Sequence, residues 1–93
     1  MSRKLLNDEL KIYFHKKLIK RRAELGLTQA AMAQRLVMDT RSYIELDHGK
    51  SRCSALTLAL FLIYLCKTPE SKEEFLKGLE SKFNEILKEN SIA

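Results

Sequence analysis

Proline occurs once in these 93 residues, glycine three times, and cysteine and histidine twice each. With so little proline and no sustained alternation of apolar and polar residues, the chain reads as all-α rather than stranded. No apolar run approaches the ~20 residues that a membrane span requires. Acids at Asp8 and Glu9 fall where a signal peptide needs an apolar stretch, so no targeting segment is expected and the cytoplasm is the expected compartment. Cys53 and Cys66 lie far from any C-x-x-C spacing and have no histidine at metal-ligand spacing. Neither a disulfide nor a metal site is expected from them; Cys66 reads as a buried apolar residue and Cys53 as a loop thiol. Two histidines, two scattered cysteines and no phosphate loop make no constellation of nucleophile, base and orienting group, so an enzyme is not expected. No cofactor is implied, and without a separate ligand domain no small-molecule effector is indicated.

What is present fits one domain over residues 1–93, long enough for a modest single core. The net charge is +5, and its distribution is uneven. Through Lys50 there are 11 Lys and Arg against 6 Asp and Glu, whereas from Ser51 onward there are 6 of each. The basic half suits a phosphate backbone, and it equally suits a solvated surface.

The stretch Leu27 to Lys50, LTQAAMAQRLVMDTRSYIELDHGK, predicts two short helices joined by a tight turn. Thr28 caps the first, and Met32, Ala33 and Leu36 share its apolar face. After a break at Val37-Met38, Asp39 or Thr40 caps a second helix carrying Tyr43, Ile44 and Leu46, and Gly49 ends it. Ala33 is small where two close helices have to cross. Two readings of Thr40 to Asp47 stand open on periodicity: a recognition helix facing a DNA major groove, or one arm of an ordinary helical hairpin. Before this stretch, a first helix is expected from Asn7 or Asp8 to Leu25. Its core stripe is Leu6, Leu10, Tyr13, Phe14, Leu18, Ile19 and Leu25, with Lys16, Lys17, Lys20 and Arg21 solvated and His15 at the surface.

RRAELGLTQAAMAQRL, followed by IELDHGK, resembles the phage repressor and Cro-like helix-turn-helix family, also called the xenobiotic-response-element (XRE) family. The matching positions are Arg22, Gly26 to Gln29, Met32-Ala33, Leu36, Leu46-Asp47 and Gly49-Lys50, and the likeness spans roughly residues 14–65. It implies a five-helix all-α domain that binds double-stranded DNA and regulates transcription. On that reading Thr40, Arg41, Ile44 and Glu45 address bases. Arg41 suits guanine, Glu45 cytosine N4 and Ile44 a thymine methyl, while Arg41 and Glu45 could instead pair with each other at i,i+4. Gln29, His48, Lys50, Ser51 and Arg52 address the DNA backbone. The resemblance also implies a partly buried pair between Arg22 and Asp47. Three positions depart from the family: Val37 replaces the usual turn glycine, Asp47 a longer glutamate, and Tyr43 a smaller aliphatic. If Tyr43 packs inward, its hydroxyl needs a partner.

From Ser54 to Lys67 the chain is apolar nearly all round a helix, which has to be covered on every side. A last helix, about residues 69–89, begins at Thr68-Pro69 or, with a Ser71/Glu74 capping box, one turn later. Leu76, Leu79, Phe83 and Ile86 form its stripe beside Phe75 and Leu87, and residues after Glu89 are expected to fray. Surplus apolar surface on Leu58, Leu62, Leu65, Leu76, Leu79, Phe83 and Ile86 points to a homodimer. The rival arrangements are a monomer that closes its own core, or a protein-interaction module such as an antitoxin or anti-repressor subunit.

Overall fold

Five helices and no strand make up the described residues, 3–90, of the computed structural model. In order they are α1 (Arg3–Leu25), α2 (Gln29–Arg35), α3 (Thr40–Asp47), α4 (Ala55–Leu60) and α5 (Pro69–Asn90). Helix α4 runs on into a π-helical turn, Phe61–Leu65. The expected tail beyond α5 lies outside the described residues. Helix α1 starts four residues earlier than Asn7, because Lys4, Leu5 and Leu6 are good helix formers with no breaker among them.

Side-chain caps begin four of the helices where short polar residues stand. Thr28 accepts from the Ala31 amide, Asp39 from Ser42 at 2.8 Å, and Ser54 from Thr57. Thr68 accepts from the Ser71 amide, so α5 starts at Pro69 and the alternative capping box is not used. Three helices end in the same way. In α1, α2 and α3 a six-residue hydrogen-bonded loop closes over a residue of positive φ: Leu27 to Arg22, Met38 to Ala33, Lys50 to Glu45. That residue is Gly26 (φ 64°) in the first and Gly49 (φ 73°) in the third, but Val37 (φ 54°) in the second. The turn therefore keeps the glycine shape with a β-branched side chain, which projects into solvent at 75% exposure.

The core runs through all five helices. Met32, Ala33 and Leu36 of α2, Tyr43 and Leu46 of α3, and Tyr13, Phe14 and Leu18 of α1 are buried together with Phe61, Leu65, Cys66 and Phe75. Phe14, Phe61, Phe75 and Tyr13 form an aromatic chain with centroids 5.1–5.5 Å apart, edge-on at its two ends and tilted between Phe61 and Phe75, tying α1 to α4 and α5. The Cys66 amide bonds to the Phe61 carbonyl five residues back, and this wider turn carries Phe61, Leu65 and Cys66 inward together.

Several expectations about burial change. Ile19 and Leu25 are exposed, because the face of α1 that meets α5 is centred on Tyr13, Lys17 and Arg21 instead. Of the four basic residues expected in solvent, Lys16 and Lys20 are exposed, whereas Lys17 and Arg21 are partly buried. Lys17 lies over the Tyr13 ring, Lys20 pairs with Glu74, and Arg21 donates to Ser71 Oγ at 2.7 Å. Helix α4 is not covered all round: Leu56, Ile63 and Tyr64 stay more than half exposed.

The first half of α5 packs on its own α1. Tyr13 donates its hydroxyl to the Phe75 carbonyl at 2.8 Å, and it crosses α5 over Gly78. A Cβ at position 78 would overlap that hydroxyl. Glycine inside an exposed helix ordinarily costs about 1 kcal/mol against alanine; here the missing side chain is what lets the two helices approach. Gly78→Ala should therefore destabilise, by about 1–3 kcal/mol as for other overpacked sites, in urea unfolding. Val37→Gly should do the opposite, raising stability by about 1 kcal/mol, since a left-handed residue with a Cβ carries a penalty of that order.

Candidate nucleic-acid interface

Asp47, at the end of α3, is the group that sets this surface. The residue is 6% exposed, and its side chain accepts three hydrogen bonds from three helices. Arg22 Nε of α1 donates to Oδ1 at 3.1 Å, the Tyr43 hydroxyl of α3 to Oδ1 at 3.0 Å, and Gln29 Nε2 of α2 to Oδ2 at 3.1 Å. The Arg22 guanidinium also reaches the Leu27 carbonyl at 3.4 Å, in the connection to α2. Burial pushes the Asp47 pKa up, but the bonds from Gln29 and Tyr43 and the Arg22 charge outweigh it, and the carboxyl is held below its ordinary value. Burial first, and then the bond to Asp47, push the Tyr43 hydroxyl well above its ordinary range, so it stays a donor.

Two of the family departures meet here. The shorter acid does reach Arg22, and Tyr43, packed fully inward, supplies the third donor to it. The i,i+4 spacing of Tyr43 and Asp47 on one helix was the available signal for that bond. Gln29 had no such signal. It was expected to face a phosphate, but its side chain turns in to Asp47 from 18 positions away.

With Tyr43, Leu46 and Asp47 facing inward, the opposite side of α3 faces solvent. Thr40, Arg41 and Glu45 are exposed and Ile44 is half-buried. Arg41 and Glu45 stand four residues apart, yet neither takes part in an ion pair among the described residues. After α3, His48 and Lys50 are exposed and Ser51 is half-buried. Arg52 is exposed but bridges to Asp8 of α1 at 3.2 Å. His15, expected at the surface, lies against Gly49 with Nδ1 3.4 Å from the Leu46 carbonyl, and so closes the end of α3 from the α1 side.

The residues expected at a dimer contact are distributed differently. Leu65 is buried in its own subunit's core, and Leu58, Leu62 and Leu79 are half-buried against it. Phe83 and Ile86 are half-buried as well, and Leu76 is exposed. The apolar side chains left to solvent on α4 are instead Leu56, Ile63 and Tyr64.

Among the described residues no group of acids, cysteines and histidines is placed to hold a metal. Cys53 and Cys66 are free thiols whose pKa values burial raises, which disfavours the nucleophilic thiolate. No described helix is long and apolar enough to cross a membrane. Comparison with known protein families, with curated proteins and with solved structures finds no match.

Removing one partner of a buried pair typically costs about 3–5 kcal/mol, so Asp47→Ala should lower the melting temperature sharply. The acid dependence has a definite sign. Because the folded pKa of Asp47 is depressed, its contribution is complete above the ordinary carboxylate value, ~3.9, and is lost as pH falls through the lower folded value. In paired urea titrations Asp47→Asn should be the less stable above that window, with the gap to the parent chain closing inside it. A gap that stays constant with pH would mean that the Asp47 charge makes no contribution.

Proposed function

We propose that this chain is a helix-turn-helix transcriptional regulator of the phage repressor and Cro-like type. It binds double-stranded DNA in a sequence-specific way, as a homodimer on a palindromic site, and acts in the cytoplasm by repression rather than activation. The observation that carries this reading is the outward face of α3. Arg41 and Glu45 are exposed and unpaired there, while Asp47 anchors the opposite face to α1 and α2. A short helix held from behind, with a free arginine in front, has the form of a major-groove reader.

In this reading Arg41 bonds bidentately to a guanine, Glu45 accepts from a cytosine N4, and Thr40 serves a base or a phosphate. Ile44 touches a thymine methyl with the part of its side chain left open. His48, Lys50 and Ser51 contact the backbone, whereas Arg52 reaches a phosphate only by leaving Asp8. The positive excess of the first 50 residues draws the chain to the polyanion. One eight-residue helix reads too few bases to be selective alone, which supports two copies on two half-sites.

Leu56, Ile63 and Tyr64, in line along α4 and its π turn, supply an apolar face for the second copy. The same three residues favour one other reading, a module of this fold that docks a different protein, as an antitoxin or anti-repressor subunit would. The two readings part on DNA: the module gives no salt-dependent duplex binding.

Affinity for duplex should fall steeply with added salt as counterions are released from phosphates. Lys50→Ala should weaken all sequences about equally. Arg41→Ala should weaken the preferred site most, by about 1–3 kcal/mol, and relax one base position. Competition titrations over a panel of duplexes read both effects. If the two variants bind every duplex as the parent does, α3 is not the reading element.

A further inference from the structure

Two of the residues read above as contacts to the DNA backbone are strong bases, and the fold treats them differently. Lys50 joins no ion pair among the described residues, whereas Arg52 does. Its guanidinium donates to Oδ1 of Asp8, in the second turn of α1, at 3.2 Å. The pair ties α1 to the segment that links α3 to α4.

That segment is lightly held. No backbone hydrogen bond among the described residues involves Ser51, Arg52 or Cys53. The Arg52 side chain makes one hydrogen bond among them, the one to Asp8, and the two side chains are 58% and 44% exposed. A guanidinium in this position can exchange one oxyanion for another without breaking any backbone structure. Phosphate oxygens accept from its planar fork as carboxylate oxygens do.

Asp8 also stands where an acid works against a polyanion. A cleft of about 330 Å³ runs along the seam between α1 and the end of α3, lined by Asp8, Lys11, Ile12, His15 and Gly49. Asp8 is the one acid in that lining, beside a lysine and a histidine. Gly49 follows directly on the C-cap of α3, and His15 packs against it. The ion pair therefore lies beside the helix that faces DNA in the reading above.

We propose that Asp8 is an acidic latch on duplex binding. In the free chain it holds Arg52 on α1, and a complex in which Arg52 bonds a phosphate has first to open that pair. This deepens the regulator reading and rests on it. The latch acts through the sugar-phosphate backbone, which every duplex presents alike. It therefore lowers affinity for all sequences by the same factor and leaves base preference to α3. Exposure sets its size: a solvent-exposed pair of this kind is worth a factor of roughly two to five.

Competition titrations over a panel of duplexes test the latch with four full-length chains: the parent, Asp8→Asn, Arg52→Ala and the double variant. Salt is held at about 0.15 M, where exposed charges more than ~8 Å apart are largely screened. Both positions face solvent, so all four chains should melt alike. Asp8→Asn keeps the size of the side chain and should bind every duplex roughly two- to fivefold more tightly than the parent. With Arg52→Ala already in place, the same change should gain nothing. An equal gain in the two backgrounds would mean that Asp8 only repels phosphate. No gain in the parent background would mean that the pair does not restrain Arg52. Either result overturns the latch and leaves the regulator reading standing. Duplex bound by none of the four chains overturns both, and duplex bound by Asp8→Asn but not by the parent supports both.

Discussion

A buried carboxylate has to be satisfied or it destabilises the fold around it, and in this chain that requirement falls on Asp47. Its three donors come from three different helices, so satisfying one charge fixes α1, α2 and α3 relative to one another. Arg22 comes from near the end of α1, Gln29 opens α2, and Tyr43 stands one turn back on α3 itself. Apolar packing by Met32, Ala33, Leu36 and Leu46 holds the same helices together without choosing one orientation so narrowly. The direction in which Thr40, Arg41 and Glu45 point follows from where the back of α3 is tied.

The second constraint is the approach of α1 and α5. An aromatic chain from Phe14 to Tyr13 crosses between them, and it closes only because position 78 has no side chain. That contact absorbs the beginning of the stripe on α5, through Phe75 and Leu79, into the subunit's own core. Leu56, Ile63 and Tyr64 along α4 and its π turn stay open to solvent, as does Leu76 on α5.

Much of this was legible in the order of residues, wherever the controlling interaction is local. The caps at Thr28, Asp39 and Thr68 act within three residues, and the inward faces of α2 and α3 follow the helical period. The five helices and the burial of Met32, Ala33, Leu36 and Cys66 follow from the same rules. What was not legible depends on which helix meets which. The inward turn of Gln29, the bond from Arg21 to Ser71 and the seat of His15 against Gly49 span 18 to 50 positions and leave no periodic trace. Leu65 and Leu56 are alike in sequence, yet one is in the core and the other in solvent, because the π turn and the position of α1 decide between them. Tyr43 lay between the two cases: its need for a partner could be read, and the partner turned out to be the very acid whose shortness raised the question.

The face of α3 opposite Asp47 is proposed to read duplex DNA. Selection from a pool of random duplexes, at low salt and with the unmodified chain, tests it most directly because no site has to be guessed. The expected result is enrichment of one sequence built of two inverted half-sites, with centres one turn or ~34 Å apart, and a guanine among the strongly selected positions. A pool that returns unchanged after repeated rounds, or one enriched without any preferred sequence, would contradict it.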